Sequence, residues 1–180
     1  MTDPLIATLR LDEANATRFD RLRRRHFPPE RNRIPAHVTL FNQLPGDRED
    51  RVRARLRDVA ALTPVLPFTA TEVMALSNRG AAYRLDVPGF DALRNRIGAG
   101  FDLIPQDRGR RRPHVTVQNK VDPETAAATL AELRDGFAPF TGRAMGLDLW
   151  YYRGGPWERC ATHAFAGYRL QSPDICCCCC

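Results

Sequence analysis

The sequence predicts a two-lobed α+β domain built from a duplicated unit. Three observations predict it. The tripeptide His-Val-Thr occurs twice, as His37-Val38-Thr39 and His114-Val115-Thr116. The two histidines lie 114 minus 37, or 77, residues apart. The strand and helix patterns around them recur in the same order at nearly that offset, the mark of an internal repeat. Each half then supplies a small sheet with helices on its outer face, and packing about a pseudo-two-fold axis sets the motif strands on either side of a central cleft. Residues 1–170 are read as this single bilobal domain, with repeat halves at about 4–77 and 80–152, and residues 171–180 as a disordered or artefactual tail.

Residues 4–11 alternate, with Leu5, Ala7, Leu9 and Leu11 on one face, and read as a half-buried strand. Asp12 caps a helix in which Phe19, Leu22 and His26 recur at helical spacing until Pro28-Pro29 stops it. Its outer face is assigned Arg18, Arg21, Arg23, Arg24 and Arg25. The polar connection Glu30–Pro35 leads into the first motif strand, residues 36–43, where alternation puts His37, Thr39 and Phe41 on one face. Pro45-Gly46-Asp47 opens a helix with the stripe Val52, Leu56, Val59 and Ala60, ending before Pro64. A strand over 66–76 and the turn Ser77–Gly80 lead to a strand with Tyr83, Leu85 and Val87 on one face.

The second half repeats this order. Phe90, Leu93, Ile97 and Phe101 mark a helix, followed by the strongly basic loop Ile104–Pro113. The second motif strand, residues 113–119, places His114, Thr116 and Gln118 together, with Arg112 and Lys120 extending that face. Asp122-Pro123-Glu124 starts a helix carrying Ala126, Leu130, Leu133 and Phe137. Residues 143–152 and 158–168 close the domain as two strands joined by a turn at 153–156.

Apolar content of 43% and charged content of 27% exclude a disordered chain. The 27 basic against 21 acidic residues give a net charge of +6, almost all of it arginine, since Lys120 is the only lysine. A planar guanidinium suits phosphate, so an anionic partner is implied but not named. No basic leader with a long apolar run and no membrane-length apolar stretch is present, which makes the cytoplasm the default and gives no membrane role. Of six cysteines, Cys160 is single and Cys176–Cys180 are contiguous; neither resembles a disulfide frame or a spaced ligand set.

Two histidines can divide acid and base work near neutral pH. One accepts a proton from the attacking group while the other protonates the leaving oxygen. The threonine two positions on projects from the same face and can donate to a non-bridging oxygen as charge develops. That is in-line phosphoryl transfer without a metal or other cofactor, with His37, Thr39, His114 and Thr116 as the catalytic residues. Phe41, Arg112, Gln118 and Lys120 share the catalytic faces and are candidates for stacking on a base or neutralising phosphate. Tyr83, Trp150, Tyr152 and Trp157 could also stack, although aromatic residues on strands commonly belong to cores; His26 and His163 are read as structural. Against catalysis stand a polar strand face with no chemistry, and metal binding, for which two histidines lacking Cys, Asp or Glu companions are a poor ligand set.

The motifs HVTL at residues 37–40 and HVTV at residues 114–117, the approach HFPPERNRIPA and the late segment GLDLWYYRGGPWE resemble the 2H phosphoesterase superfamily, and within it the 2′-5′ RNA ligase family. The resemblance spans roughly residues 4–168. It implies two antiparallel sheets facing a central cleft with flanking helices, and metal-independent hydrolysis of RNA 2′,3′-cyclic phosphate ends to 2′-phosphates. Some members join or cleave 2′-5′ linkages reversibly, and others act on small cyclic nucleotides. Carried onto this chain, His114 is expected as the base that activates water and His37 as the acid. The partners expected are RNA ends or small cyclic nucleotides, met by a monomer. The alternative is a non-catalytic RNA or nucleotide binder that retains the cleft, and a third is a thiol or metal protein working through its tail.

Overall fold

A computed structural model describes residues 3–154 and 156–166. The cysteine tail, Gly155 of the expected turn and the last two residues of the expected closing strand lie outside them. The elements follow in the order β1 (Leu5–Leu11), α1 (Glu13–His26), β2 (Val38–Leu44), α2 (Glu49–Ala61), β3 (Leu66–Ala75), β4 (Ala81–Asp86), α3 (Phe90–Gly98), α4 (Pro105–Arg108), β5 (His114–Gln118), α5 (Pro123–Asp135), β6 (Phe140–Tyr151) and β7 (Glu158–Ala164).

Local chemistry sets the element ends. The Asp12 carboxylate accepts from the Asn15 amide at 3.0 Å and starts α1; the Asp122 carboxylate accepts from Thr125 at 2.8 Å and starts α5, with Pro123 in the first turn. The α2 stripe of Val52, Leu56, Val59 and Ala60 is wholly buried. Phe101 falls outside α3, which ends at Gly98. A left-handed Gly100 (φ 77°) turns the chain, and Phe101 still reaches the core.

All seven strands are antiparallel and hydrogen-bonded in the order β2-β1-β6-β3-β4-β5, with β7 also on β6. The two sheets expected are thus two arms of one sheet, joined through the long strand β6. Residues Phe140–Ala144 of β6 pair with β3, whereas Ala144–Tyr151 pair with β1 and Gly146–Tyr151 also with β7. The arms do not coincide with the sequence halves. β3 leaves the first half to pair with β4, and β6 leaves the second to pair with β1. The helices exchange in the same way: α1 packs on β5 and α5 on β3 and β4, while α2 covers β6 and β7 with α3 beside it.

One contiguous core runs through both arms, from Leu5, Leu9 and Phe19 to Leu147 and Leu149. Exchange of the third strands makes that core common to both halves. The sheet curls so that its edges, β2 and β5, come within 8 Å between Cα atoms. These edges are the two motif strands.

Candidate active site

Both motif histidines are fixed in the same way. His37 Nδ1 lies 2.8 Å from the Pro35 carbonyl oxygen and His114 Nδ1 lies 2.9 Å from that of Arg112, each two residues upstream. A carbonyl can only accept, so Nδ1 carries the hydrogen and Nε2 is left to exchange a proton with a ligand. Each ring is half-buried, as are Thr39 and Thr116.

Immediately after each threonine the strand bulges. In the first arm Thr39 pairs with Thr8 but Phe41 pairs with Ala7; in the second Thr116 pairs with Ala82 but Gln118 pairs with Ala81. Two residues of the motif strand thus face one on its neighbour, which defeats simple alternation. Phe41 and Gln118, both expected on the catalytic faces, are corrected by this. Each is 1% exposed. Phe41 lies beneath the Arg94 guanidinium, 5.0 Å from its ring centroid, and Gln118 donates to the Thr129 hydroxyl at 2.8 Å. Arg112 and Lys120 are exposed, but both fall outside β5, and Lys120 sits in a left-handed turn (φ 63°). Strand alternation therefore does not reach either one.

The floor beside His37 is a polar row across the first arm. Thr39, Thr8, Asp148 and Thr162 are cross-strand partners in register, so their side chains share one face. Thr162 donates to the Asp148 carboxylate at 2.7 Å, and the Trp150 indole donates to the Thr8 hydroxyl at 2.9 Å. Trp157, from the β6–β7 connection, packs on His37 with ring centroids 5.1 Å apart. Burial is the main cause that pushes the His37 imidazole down to about 4; the bond to Pro35 opposes this, while the charges of Arg23 and His114 add to it. His37 is therefore neutral at physiological pH. In the second arm the row beside the motif is charged: His114 pairs with Arg84, and Arg84 with Glu72, to which it donates at 2.8 Å.

Three residues that hold this site escaped the sequence reading. Arg23, assigned to the outer face of α1, is 3% exposed. It donates to Asn32 Oδ1 (3.1 Å), the Ile34 carbonyl (3.2 Å) and the Thr116 carbonyl (2.7 Å). The spacing Phe19 to Arg23, one helical turn, was the available signal. Asp107, within the loop read only as basic, is 1% exposed and accepts from the backbone amides of Asn42 (2.8 Å) and Gln43 (2.9 Å) and from Arg111 (3.1 Å). Arg94, 6% exposed, donates to the Leu40 carbonyl at 3.1 Å.

A groove of about 850 Å³ runs past the start of β5, with Arg84, Arg110, Arg111 and Arg112 among its walls. No helix among the described residues is long and apolar enough to cross a membrane, and none of their His, Cys, Asp and Glu side chains form a group of three able to hold a metal ion. His26 and His163 stand apart from the motifs, and burial lowers the pKa of each.

A family model described as the 2′-5′ RNA ligase superfamily matches residues 11–156. A sequence comparison with curated proteins finds no match. Among solved structures the chain is similar to TT0787 of Thermus thermophilus (15% identity, 91% of this chain and 98% of that one, TM-score 0.65). It is also similar to E. coli LigT complexed with NADP+ (15% identity, 92% and 99%, TM-score 0.61) and with 3′-AMP (16% identity, 92% and 99%, TM-score 0.55). At these identities the likeness concerns the fold.

Proposed function

The chain belongs to the 2′-5′ RNA ligase superfamily, whose members act on phosphodiester bonds, and from that premise we propose that it hydrolyses 2′,3′-cyclic phosphate ends to 2′-phosphates without a metal. The observation that carries this reading is the matched pair of edge strands. Each presents a histidine whose Nδ1 is tied to the carbonyl two residues back, followed by a threonine and a bulge.

In the proposed reaction His37 Nε2 takes a proton from water as its oxygen attacks phosphorus. The bond from phosphorus to O3′ breaks, and O3′ takes the proton from His114, leaving a 2′-phosphate and a free 3′-hydroxyl. This reverses the roles expected from the sequence, because a histidine held neutral at physiological pH is suited to accept a proton. The Thr39 and Thr116 hydroxyls donate to the two non-bridging oxygens, where charge builds. Run in the same direction with a 5′-hydroxyl in place of water, the same groups support 2′-5′ joining: the 5′-oxygen attacks phosphorus, the bond to O3′ breaks, and O3′ takes the proton from His114.

An RNA end is favoured as substrate by the arginine-lined groove beside β5, which has room for a strand extending beyond the cyclic phosphate. The solved LigT structures hold 3′-AMP, phosphate, ATP and NADP+, all phosphate-bearing, in a chain of similar fold. Trp157 beside His37 offers a face on which a base can stack. Incubation of the protein with a 2′,3′-cyclic-ended oligoribonucleotide in EDTA tests the reading: a 2′-phosphate product that disappears in His37→Ala and in His114→Ala is expected. Tight binding with no turnover would instead favour the non-catalytic binder.

A further inference from the structure

Helices α1 and α3 carry one pattern, Phe-Asp-x-Leu-Arg, as Phe19–Arg23 and Phe90–Arg94, 90 minus 19, or 71, residues apart. In each the phenylalanine and arginine lie one turn apart and are buried. Both guanidinium groups sit over an aromatic ring, Arg23 over Phe27 at 4.5 Å and Arg94 over Phe41 at 5.0 Å. Their donors are directed at neutral acceptors rather than carboxylates. Arg23 reaches Asn32 Oδ1 and the Ile34 carbonyl, in the loop before His37, and the Thr116 carbonyl on the opposite motif strand. Arg94 reaches the Asp107 (2.6 Å) and Gly109 (2.8 Å) carbonyls, in the loop before His114, and the Leu40 carbonyl on the opposite motif strand. The two contact sets correspond in kind: each arginine joins the approach loop of its own motif to a carbonyl at the bulge of the other motif strand.

The carbonyls gripped across the halves lie at the two bulges. β2 and β5 are edge strands, so their outer carbonyls have no ladder partner, and a bulge removes the local register as well. A buried guanidinium costs desolvation that an apolar side chain of similar length avoids. What it supplies that methionine does not is several donors at fixed angles.

We propose that Arg23 and Arg94 are reciprocal positioning residues. Each fixes, from a helix of one sequence half, a carbonyl at the bulge of the other half's motif strand together with the approach loop of its own motif. Between them they set the spacing and tilt at which the two His-x-Thr pairs meet a phosphoryl group. The consequence for turnover rests on the phosphodiesterase reading; the clamp itself does not.

The test uses the full chain with Arg23→Lys, Arg23→Met, Arg94→Lys and Arg94→Met. On a 2′,3′-cyclic-ended oligonucleotide, kcat is expected to fall about 10²-fold in all four, the loss typical of a misplacement of about 1 Å. KM is expected to stay within about threefold. Lysine keeps the charge and loses the fork, so Arg23→Lys leaves the His37 titration low whereas Arg23→Met raises it. Backbone amide resonances report the clamp independently of activity: Arg23 variants move Val117 and Gln118, and Arg94 variants move Leu40 and Phe41. If the wild-type protein turns over no cyclic phosphate, the phosphodiesterase reading falls while the amide shifts still decide the clamp. Unchanged kcat in a folded variant, a loss carried by KM alone, or amide changes confined to the half that bears the mutated helix would overturn the proposal. Should the methionine variants not fold, the lysine variants carry the test, and failure of both lysine variants to fold would assign the arginines to stability alone.

Discussion

Lowering the pH isolates the role assigned to His37. A base with an ordinary histidine pKa near 6.5 is only about 3% deprotonated at pH 5, whereas one at about 4 is about 90% deprotonated, a difference of roughly thirtyfold in the competent form. The profile of kcat/KM against pH reports the free protein, and its acidic limb is therefore expected near pH 4. Protonation has a stability consequence of defined sign. The unfolded chain takes up this proton first, so the native state loses stability as pH falls from about 6.5 to about 4, by at most about 3 kcal/mol. Circular dichroism across the same range separates unfolding from loss of the base. The assay is single-turnover hydrolysis of a cyclic-ended oligonucleotide with protein in excess over substrate but well below KM, pH 4 to 8, where the rate reports kcat/KM. An acidic limb near 6.5 in a protein that remains folded refutes the assignment of His37 as a resting neutral base.

Replacing Thr39 or Thr116 by valine is expected to cost about 10²-fold in kcat, as loss of one oxyanion donor does elsewhere, with little change in KM; steady-state kinetics decide. Trp157→Ala uncovers the His37 ring, so its titration, followed by NMR, moves up toward the ordinary value. The same variant should weaken substrate binding by about 1–3 kcal/mol if a base stacks there, and an unaltered His37 titration would remove Trp157 from the site. Asp107→Ala leaves the Asn42 and Gln43 amides and Arg111 without their buried acceptor. Denaturant unfolding should show a loss of about 3–5 kcal/mol, and a change below about 1 would contradict the contacts described.

Apart from the four-residue α4, which lies within the stretch read as a basic loop, element order was legible because each helix and strand carries its own period and its own stop signals. Val52, Leu56, Val59 and Ala60 announce a helix, and Tyr83, Leu85 and Val87 a strand, whatever they pack against. What alternation misses is the bulge. Phe41 and Gln118 stand four residues after their histidines, where a regular strand would point them into the cleft, and one inserted residue in each strand turns both inward. Strand exchange between the halves was equally hidden, since no local pattern says which neighbour β3 or β6 will choose. Arg23 was misread because charge was taken to mean solvent. Its position one turn from Phe19 placed it on the buried face, and its acceptors, backbone carbonyls from a distant strand, leave no trace in composition. Trp157 reaches His37 only through the path of the β6–β7 connection, a tertiary fact.

The central claim is that the two His-x-Thr pairs form one site, and a titration of 2′-AMP followed at the ring resonances of His37 and His114 tests it most directly. Both histidines are expected to respond with a single Kd and one ligand per chain, and His37→Ala and His114→Ala should each weaken the response of the histidine that remains. A response from one histidine alone, or two different Kd values, would mean that the motifs act as separate patches.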